Sequence, residues 1–243
     1  MSDRPAATNG ARMMYLIKRR PNVYREELVA NWFANHMPSV IQGQKDQAVR
    51  SRRFAWRYVA TLFDAARDGS YLWDGVAQLW WDAPLPKPDI AHGEIPADTF
   101  QEKAAPYVPW ATREYVVMDG ELPFTPNSLN APFPVTRSGF FKVTFLVPAL
   151  PGTDFDEFYT HWLDLHVPNV RATMESVGGF RYTVAHSIMP KDEPYAGMAE
   201  LYFPNPDGWD AYKANIKADG MERWVDGPNM PILTSCMEMV GIP

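Results

Sequence analysis

Residues 32–40 read Trp-Phe-Ala-Asn-His-Met-Pro-Ser-Val, and residues 162–170 read Trp-Leu-Asp-Leu-His-Val-Pro-Asn-Val. The shared pattern, Trp-x3-His-x-Pro-x-Val, recurs at an offset of 130 residues. Two further matches follow in the same order. Arg57-Tyr58 after Trp56 corresponds to Arg181-Tyr182 after Phe180 at an offset of 124, and Gly75, Ala77 and Leu79 correspond to Gly197, Ala199 and Leu201 at 122. Three ordered matches with a slowly drifting offset are explained most economically by two copies of one unit. That constrains the fold more than any other feature, because each copy must bury its own apolar face or lend it to the other.

Each copy reads alike. Met13–Lys18 and Phe141–Val147 have the β-branched and aromatic content of strands bounded by Pro or Gly. Tyr24–Met37 and Phe155–Val167 read as amphipathic helices, with Leu28, Trp32 and His36, and again Phe158, Trp162 and His166, at four-residue intervals. Thr153 or Asp154 offers the second helix a start, and Pro38 and Pro168 are expected to end the two helices. Alternating stretches follow at Phe54–Leu62 and Phe180–Ile188, then at Val76–Trp81 and Met198–Phe203. Short helices near Ala97–Ala105 and Pro206–Ala214 precede closing strands at Arg113–Met118 and Leu233–Val240. The order is β-α-β-β-α-β, a ferredoxin-like arrangement. Its sheet carries helices on one face and needs cover on the other. The expected fold class is therefore α+β, two such repeats packed sheet to sheet within one chain. Residues 1–12 read as a loose tail, 13–119 as the first repeat, 120–139 as a proline-containing linker and 140–243 as the second repeat.

Composition narrows the partners. With 23 Lys and Arg against 29 Asp and Glu, the chain lacks the basic balance of a nucleic-acid binder. Its longest early apolar run, Met13–Ile17, is too short for a membrane span or a signal peptide, so a cytoplasmic location with no membrane partner is expected. Nine Trp, eleven Tyr and thirteen Phe suit a small aromatic ligand. Single Cys236 and five histidines without His-x3-His spacing give no metal motif, and the absence of Gly-x-Gly-x-x-Gly or a phosphate loop argues against a nucleotide. No cofactor is expected.

The residues resemble those of the EthD family. Lys18-Arg19-Arg20-Pro21, then Arg25-Glu26-Glu27-Leu28, then Trp32-x3-His36-x-Pro38 resemble its opening, and Gly75–Asp82 resemble a later strand in which a Glu usually stands where Gln78 does here. The second copy restores that Glu at Glu200 but replaces the basic opening with Val147-Pro148-Ala149; Arg181-Tyr182-x3-His186 resembles a further strand, where the first copy has Leu62. The resemblance implies a dimeric α+β barrel fused into one chain. It implies activities ranging over cofactor-free decarboxylases and dehydratases of aromatic polyketides, isomerases and monooxygenases. Related barrels also place a histidine under haem iron, though no haem attachment motif stands in this sequence.

Candidate chemistry centres on histidine. His36 and His166 sit in the last helical turn beside Trp32 and Trp162, where the helix dipole and burial act on the imidazole in opposite senses. A cap on free carbonyls suits the same placement. Alternation puts Tyr182 and His186 on one face of their strand. His166 and His186 are the expected acid–base pair, with Tyr182 and Glu200 supporting and His36 a second site or partner. Trp162, Trp32, Tyr58, Arg19 and Tyr159 are the expected substrate contacts, Arg19 through a carboxylate. His92, in a proline-rich loop, reads as a surface histidine, and Lys45–Arg53 as a solvated loop. The function expected is a cofactor-independent lyase, a decarboxylase or dehydratase of an aromatic or polyketide-like molecule. The alternatives are an isomerase, a cofactor-free monooxygenase or a non-catalytic binder of an apolar metabolite. A homodimer of the fused chain is compatible with all of them.

Overall fold

A computed structural model of the chain describes residues 4–122 and 132–243. In chain order come β1 (Ala11–Ile17), α1 (Arg25–Asn31), a π-helical turn (Trp32–His36), α2 (Met37–Val49), β2 (Arg57–Leu62), β3 (Gly75–Trp81), α3 (Thr99–Lys103) and β4 (Trp110–Asp119). Then follow β5 (Val135–Arg137), β6 (Phe141–Val147), α4 (Phe155–His161), a second π-helical turn (Trp162–His166), α5 (Val167–Ser176), β7 (Arg181–Ser187), β8 (Gly197–Phe203), α6 (Pro206–Asn215), β9 (Ile232–Ser235) and β10 (Met237–Ile242).

The architecture is α+β, and the chain folds as two compact units. The first gathers Gly10–Ala111, 132–138 and Ser235–Pro243; the second gathers 4–9, 112–122 and Gly139–Thr234. Strands of the first lie in the order β5-β10-β2-β3-β1, those of the second in the order β4-β7-β8-β6-β9. The central pairs of each, β1 and β2 with β3 and β6 and β7 with β8, are antiparallel. The strand that ends the first half of the sequence, β4, pairs with β7 in the second unit. The strand that ends the chain, β10, pairs with β2 in the first.

Alternation sorts each strand into two faces. In β7, Tyr182 and Val184 pack into the apolar core beneath the helices, with Trp162, Val167 and Val170. Thr183 points the other way, where its hydroxyl donates to Glu200 at 3.1 Å. The first unit repeats the scheme with Trp32, Met37 and Ile41 over Tyr58, Ala60 and Leu62. Trp32 and Trp162 are 0% and 1% exposed, and each is seated on a glycine. A Cβ on Gly75 would stand 2.4 Å from the Thr61 carbonyl oxygen and 3.1 Å from the Trp32 ring; one on Gly197 would stand 2.4 Å from the Ala185 carbonyl oxygen and 3.0 Å from the Trp162 ring. Only glycine lets the indoles lie flat on those strands.

Several expectations are corrected. Pro38 and Pro168 do not end their helices, which run on as α2 and α5. The π turns explain why. The Met37 amide bonds to the Trp32 carbonyl and the Val167 amide to the Trp162 carbonyl, one residue further back than in an α-helix. The wider turn makes room for a ring that would otherwise press on the carbonyl four residues earlier. Lys45–Val49, expected in a loop, belongs to α2. Asp154 rather than Thr153 caps α4, accepting from the amides of Asp156 and Glu157 at 3.0 and 3.1 Å. Within the expected linker, Val135–Arg137 is a strand paired with β10, while 123–131 lie outside the described residues. Trp56, the first-repeat counterpart of Phe180, is 46% exposed. Among the described residues no helix is long and apolar enough to cross a membrane.

Candidate functional site

Each unit holds a cavity between its strands and its π-turn helix, about 350 Å³ in the first and about 280 Å³ in the second. The two share a frame. Ile17, Trp32, His36, Val40, Tyr58, Ala77 and Leu79 line one, and Val147, Trp162, His166, Val170, Tyr182, Ala199 and Leu201 line the other. These are corresponding positions of the sequence repeat. The π turn puts the Trp and the His of Trp-x3-His on the same wall.

Each of these histidines is held by an aspartate. His36 Nδ1 lies 2.6 Å from Asp98 Oδ2, and His166 Nδ1 lies 2.7 Å from Asp219 Oδ2. Asp98 also caps α3, accepting from the Gln101 amide at 2.9 Å. Asp219 accepts from Asn169 Nδ2 at 2.7 Å. Burial alone would raise both carboxyls, but their hydrogen bonds outweigh it; Asp98 is held below its ordinary value and Asp219 at about 2. A carboxylate on Nδ1 keeps the proton there and leaves Nε2 as the basic nitrogen. Neither aspartate is among the expected site residues. The signal lay in the repeat: Ala97-Asp98 and Ala218-Asp219 stand 121 apart, the next step of the drifting offset.

The second cavity has a further feature. In the first cavity the Trp32 indole donates to Tyr58 OH at 3.1 Å; in the second the Trp162 indole still acts on the Tyr182 hydroxyl, but neither Trp162 Nε1 nor Tyr182 OH completes a hydrogen bond. Burial raises the Tyr182 phenol well above its ordinary value, so it stays protonated and can donate.

The remaining candidates lie elsewhere. His186 does not line the His166 cavity. Its ring stacks on Tyr159 with centroids 4.1 Å apart, flanked by Trp162 at 4.8 Å and Tyr115 at 5.1 Å. Burial and then the nearby cations Arg4 and Arg113 drive it down to about 3, so it is neutral at ordinary pH and cannot serve as an acid. Glu200 faces the opposite side of β8 from Ala199 and Leu201, buried in an ion pair with Lys142. Tyr159 spends its hydroxyl on the Ala196 carbonyl at 2.7 Å. Arg19 pairs with Asp74 at 2.8 Å and lines neither cavity. His92, expected at the surface, lines the first cavity, and burial lowers it. Among the described residues no cluster of three or more His, Cys, Asp or Glu is placed to hold a metal.

The cavities differ in one wall. In the second, α6 supplies Trp209, Tyr212 and Lys213, and Ile216 just after its end joins them. In the first, 82–98 carries Pro84, Pro86, Pro88 and Pro96 and makes no helix there. That segment contributes Leu85 and His92, and Tyr107 and Gln101 complete the wall.

Comparison with known proteins bears on the fold. No curated protein matches the sequence. A solved structure described as an anthrone oxidase-like protein aligns with TM-score 0.54 at 12% identity, over 99% of this chain and 96% of that one. One described as a candidate chlorite dismutase aligns with TM-score 0.50 at 11% identity, over 95% of each chain. A candidate monooxygenase from Lactobacillus acidophilus NCFM aligns at 0.43 and 9% identity, over 93% of this chain and 92% of that one, too loosely to carry an argument. The expected lyase is thereby corrected: the names attached to this fold are oxidative, and His166 and His186 do not meet as an acid–base pair. At these identities the likeness shows the fold. Residues 150–228 match the model of the EthD domain, and the chain shares its fold with the anthrone oxidase-like and candidate chlorite dismutase structures.

Proposed function

We propose that this chain oxidises a small aryl ketone or phenol with dioxygen, and that the second cavity is the site. The observation that carries this reading is one cavity lined by a histidine held on aspartate and by two buried donors without an acceptor. His166 Nε2 takes a proton from an acidic C–H or O–H, and Asp219 stabilises the imidazolium. The negative charge moves to the substrate oxygen, to which Tyr182 O–H, its proton given to no acceptor, and Trp162 N–H would donate. For a methylene between two aryl rings, the carbanion passes an electron pair to dioxygen, a C–O bond forms, and the imidazolium returns its proton to give a hydroperoxide. Loss of water with O–O cleavage and removal of the second C–H leaves a ketone. The balance is CH2 plus O2 to C=O plus H2O. The name of the anthrone oxidase-like neighbour supports a substrate of this class.

The residues do not suit a haem. His36 and His166 have the carboxylate partner that a ligating histidine carries. But among the described residues the first cavity is lined by no Lys or Arg and the second by Lys213 alone, too few to pair both propionates. We also infer that the chain is a tandem pair of ferredoxin-like repeats, a reading supported by seven corresponding positions lining both cavities.

The test uses anthrone as the probe, following oxygen uptake and quinone formation above the uncatalysed background. The wild type should consume one dioxygen per quinone, and His166→Ala should lower kcat by about 100-fold or more. Tyr182→Phe should fall less, mainly in kcat. Binding of anthrone with no oxygen uptake would sink the oxidase and leave a carrier of apolar aromatics.

A further inference from the structure

We propose that the first-unit cavity is a second binding site of different chemistry, taking a neutral, flat aromatic with hydroxyl or carbonyl oxygens at more than one edge. It goes beyond the oxidation at the second cavity and does not rest on it.

The argument starts from the wall the two cavities do not share. Where α6 lays Trp209 and Tyr212 against the second cavity, the prolines of 82–98 forbid a helix and the backbone is pinned instead. The His92 amide donates to the Tyr107 carbonyl at 2.9 Å and the Tyr107 amide to the His92 carbonyl at 3.0 Å. This two-way bridge fixes both side chains at the cavity wall. With Tyr15 they form a polar aromatic cluster, His92 to Tyr107 at 5.5 Å, Tyr15 to His92 at 5.9 Å and Tyr15 to Tyr107 at 6.0 Å between ring centroids. The second unit has Phe145 where Tyr15 stands, so that edge has no polar counterpart.

The inventory of this cavity is amphiprotic and uncharged. Gln101 Nε2 donates to Tyr107 OH at 3.3 Å, which leaves the phenol proton to be given to a ligand. Burial holds Tyr107 up at about 12 and Tyr15 higher, so both remain donors at any ordinary pH. Trp81 also lines the cavity, and its buried Nε1 has no hydrogen-bond partner. His36, with Nδ1 committed to Asp98, offers Nε2 at another edge. Among the described residues no Lys, Arg, Asp or Glu lines the cavity, so nothing there would neutralise an ionic ligand. Such a set recognises phenol and quinone oxygens around a ring and rejects a bare hydrocarbon, which would leave several polar groups desolvated and unpaired.

The experiment is titration with 1,8-dihydroxyanthraquinone, with the bare hydrocarbon anthracene as comparator, both in the same small fraction of dimethyl sulfoxide. The wild type should bind the dihydroxy probe at least tenfold more tightly than anthracene. His92→Phe, and separately Leu85→Trp, which fills the cavity from an irregular segment, should each weaken the dihydroxy probe at least tenfold while anthrone oxidation persists. Ile216→Trp, which fills the second cavity, should stop oxidation and leave the tight site intact. Wild-type affinity in both His92→Phe and Leu85→Trp, or equal affinity for the dihydroxy probe and anthracene, would overturn the assignment, whatever the oxidation assay gives.

Discussion

His186 and Leu62 stand at matching strand positions, each opposite the glycine on which the adjacent tryptophan is seated. Only His186 can take a proton, and its surroundings refuse it: Tyr159 covers one face, Tyr115 and Trp162 the flanks, and Arg4 and Arg113 repel a cation. Unfolded, it protonates near 6.5; folded, near 3. Between those values the unfolded chain binds more protons, so stability falls as pH drops from 6.5 toward 3, by up to about tenfold in the folding equilibrium per pH unit. His186→Leu should flatten the profile over that window, as urea unfolding at pH 7, 5.5 and 4 will read. The Asp219 contribution has a different window. Its folded value of about 2 lies below the ordinary 3.8, so its stabilisation is complete above 3.8 and is lost as pH falls toward 2. Glu200 makes the other contrast between the copies, and it too is structural: it pairs with buried Lys142 where Gln78 accepts from Arg12 at 3.4 Å. Glu200→Gln should cost about 3–5 kcal/mol by leaving Lys142 charged and buried, while the kcat of the folded fraction holds. That side of the sheet was legible, since Glu200 alternates with Ala199 and Leu201. The role was not, because a difference between copies marks a changed partner as readily as a changed reaction.

At the scale of elements, the strands and the Trp-x3-His helices were legible because period-two and four-residue spacings are written directly in apolar residues. What the spacing hid is the π turn. Its signature is a proline whose conflict with the helix is resolved by one extra residue in the turn, and in sequence that looks like a helix end. The same turn sets the histidine. If Pro168→Ala lets Trp162–His166 relax to α-helix, His166 rotates away from Asp219, so kcat for anthrone should fall at least tenfold while the melting temperature holds or rises. Retained kcat would mean that the turn accommodates proline and nothing more. Gly197→Ala tests the opposite face of that contact. The new methyl meets the Ala185 carbonyl and the Trp162 ring within 3.0 Å, and about 1–3 kcal/mol of stability should go. The wall made by 82–98 was not legible as a site, since a proline-rich stretch reads as surface whenever the residue that pins it, here Tyr107, is far along the chain.

At the scale of the whole molecule, the closing strands are exchanged: β4 completes the second unit and β10 the first. The repeat could not reveal this, because a strand with the right alternation satisfies either sheet and the choice is written only in connection length and packing. The exchange makes the last residues of the chain a structural part of the first unit. β10 lies between β5 and β2. Its Glu238 is 0% exposed, accepting from Arg137 Nε at 2.6 Å and from Thr61 Oγ1 at 3.2 Å. A chain ending at Cys236 would leave the ladder groups of β2 that face β10 unpaired, strip β5 of its partner and bury Arg137 without its carboxylate. Hydrogen exchange should then lose protection across Arg57–Leu62 first, although nearly 180 residues separate that strand from the cut. Protection in β7 and β8, whose ladders involve β4 and β6 instead, should survive. Undiminished protection in β2 would mean that β1 and β3 hold the first unit without the exchanged strand. Equal loss in both units would mean that they unfold as one, and the Glu238→Gln variant, which keeps the strand but discharges the Arg137 pair, would then report the same joint loss at smaller amplitude.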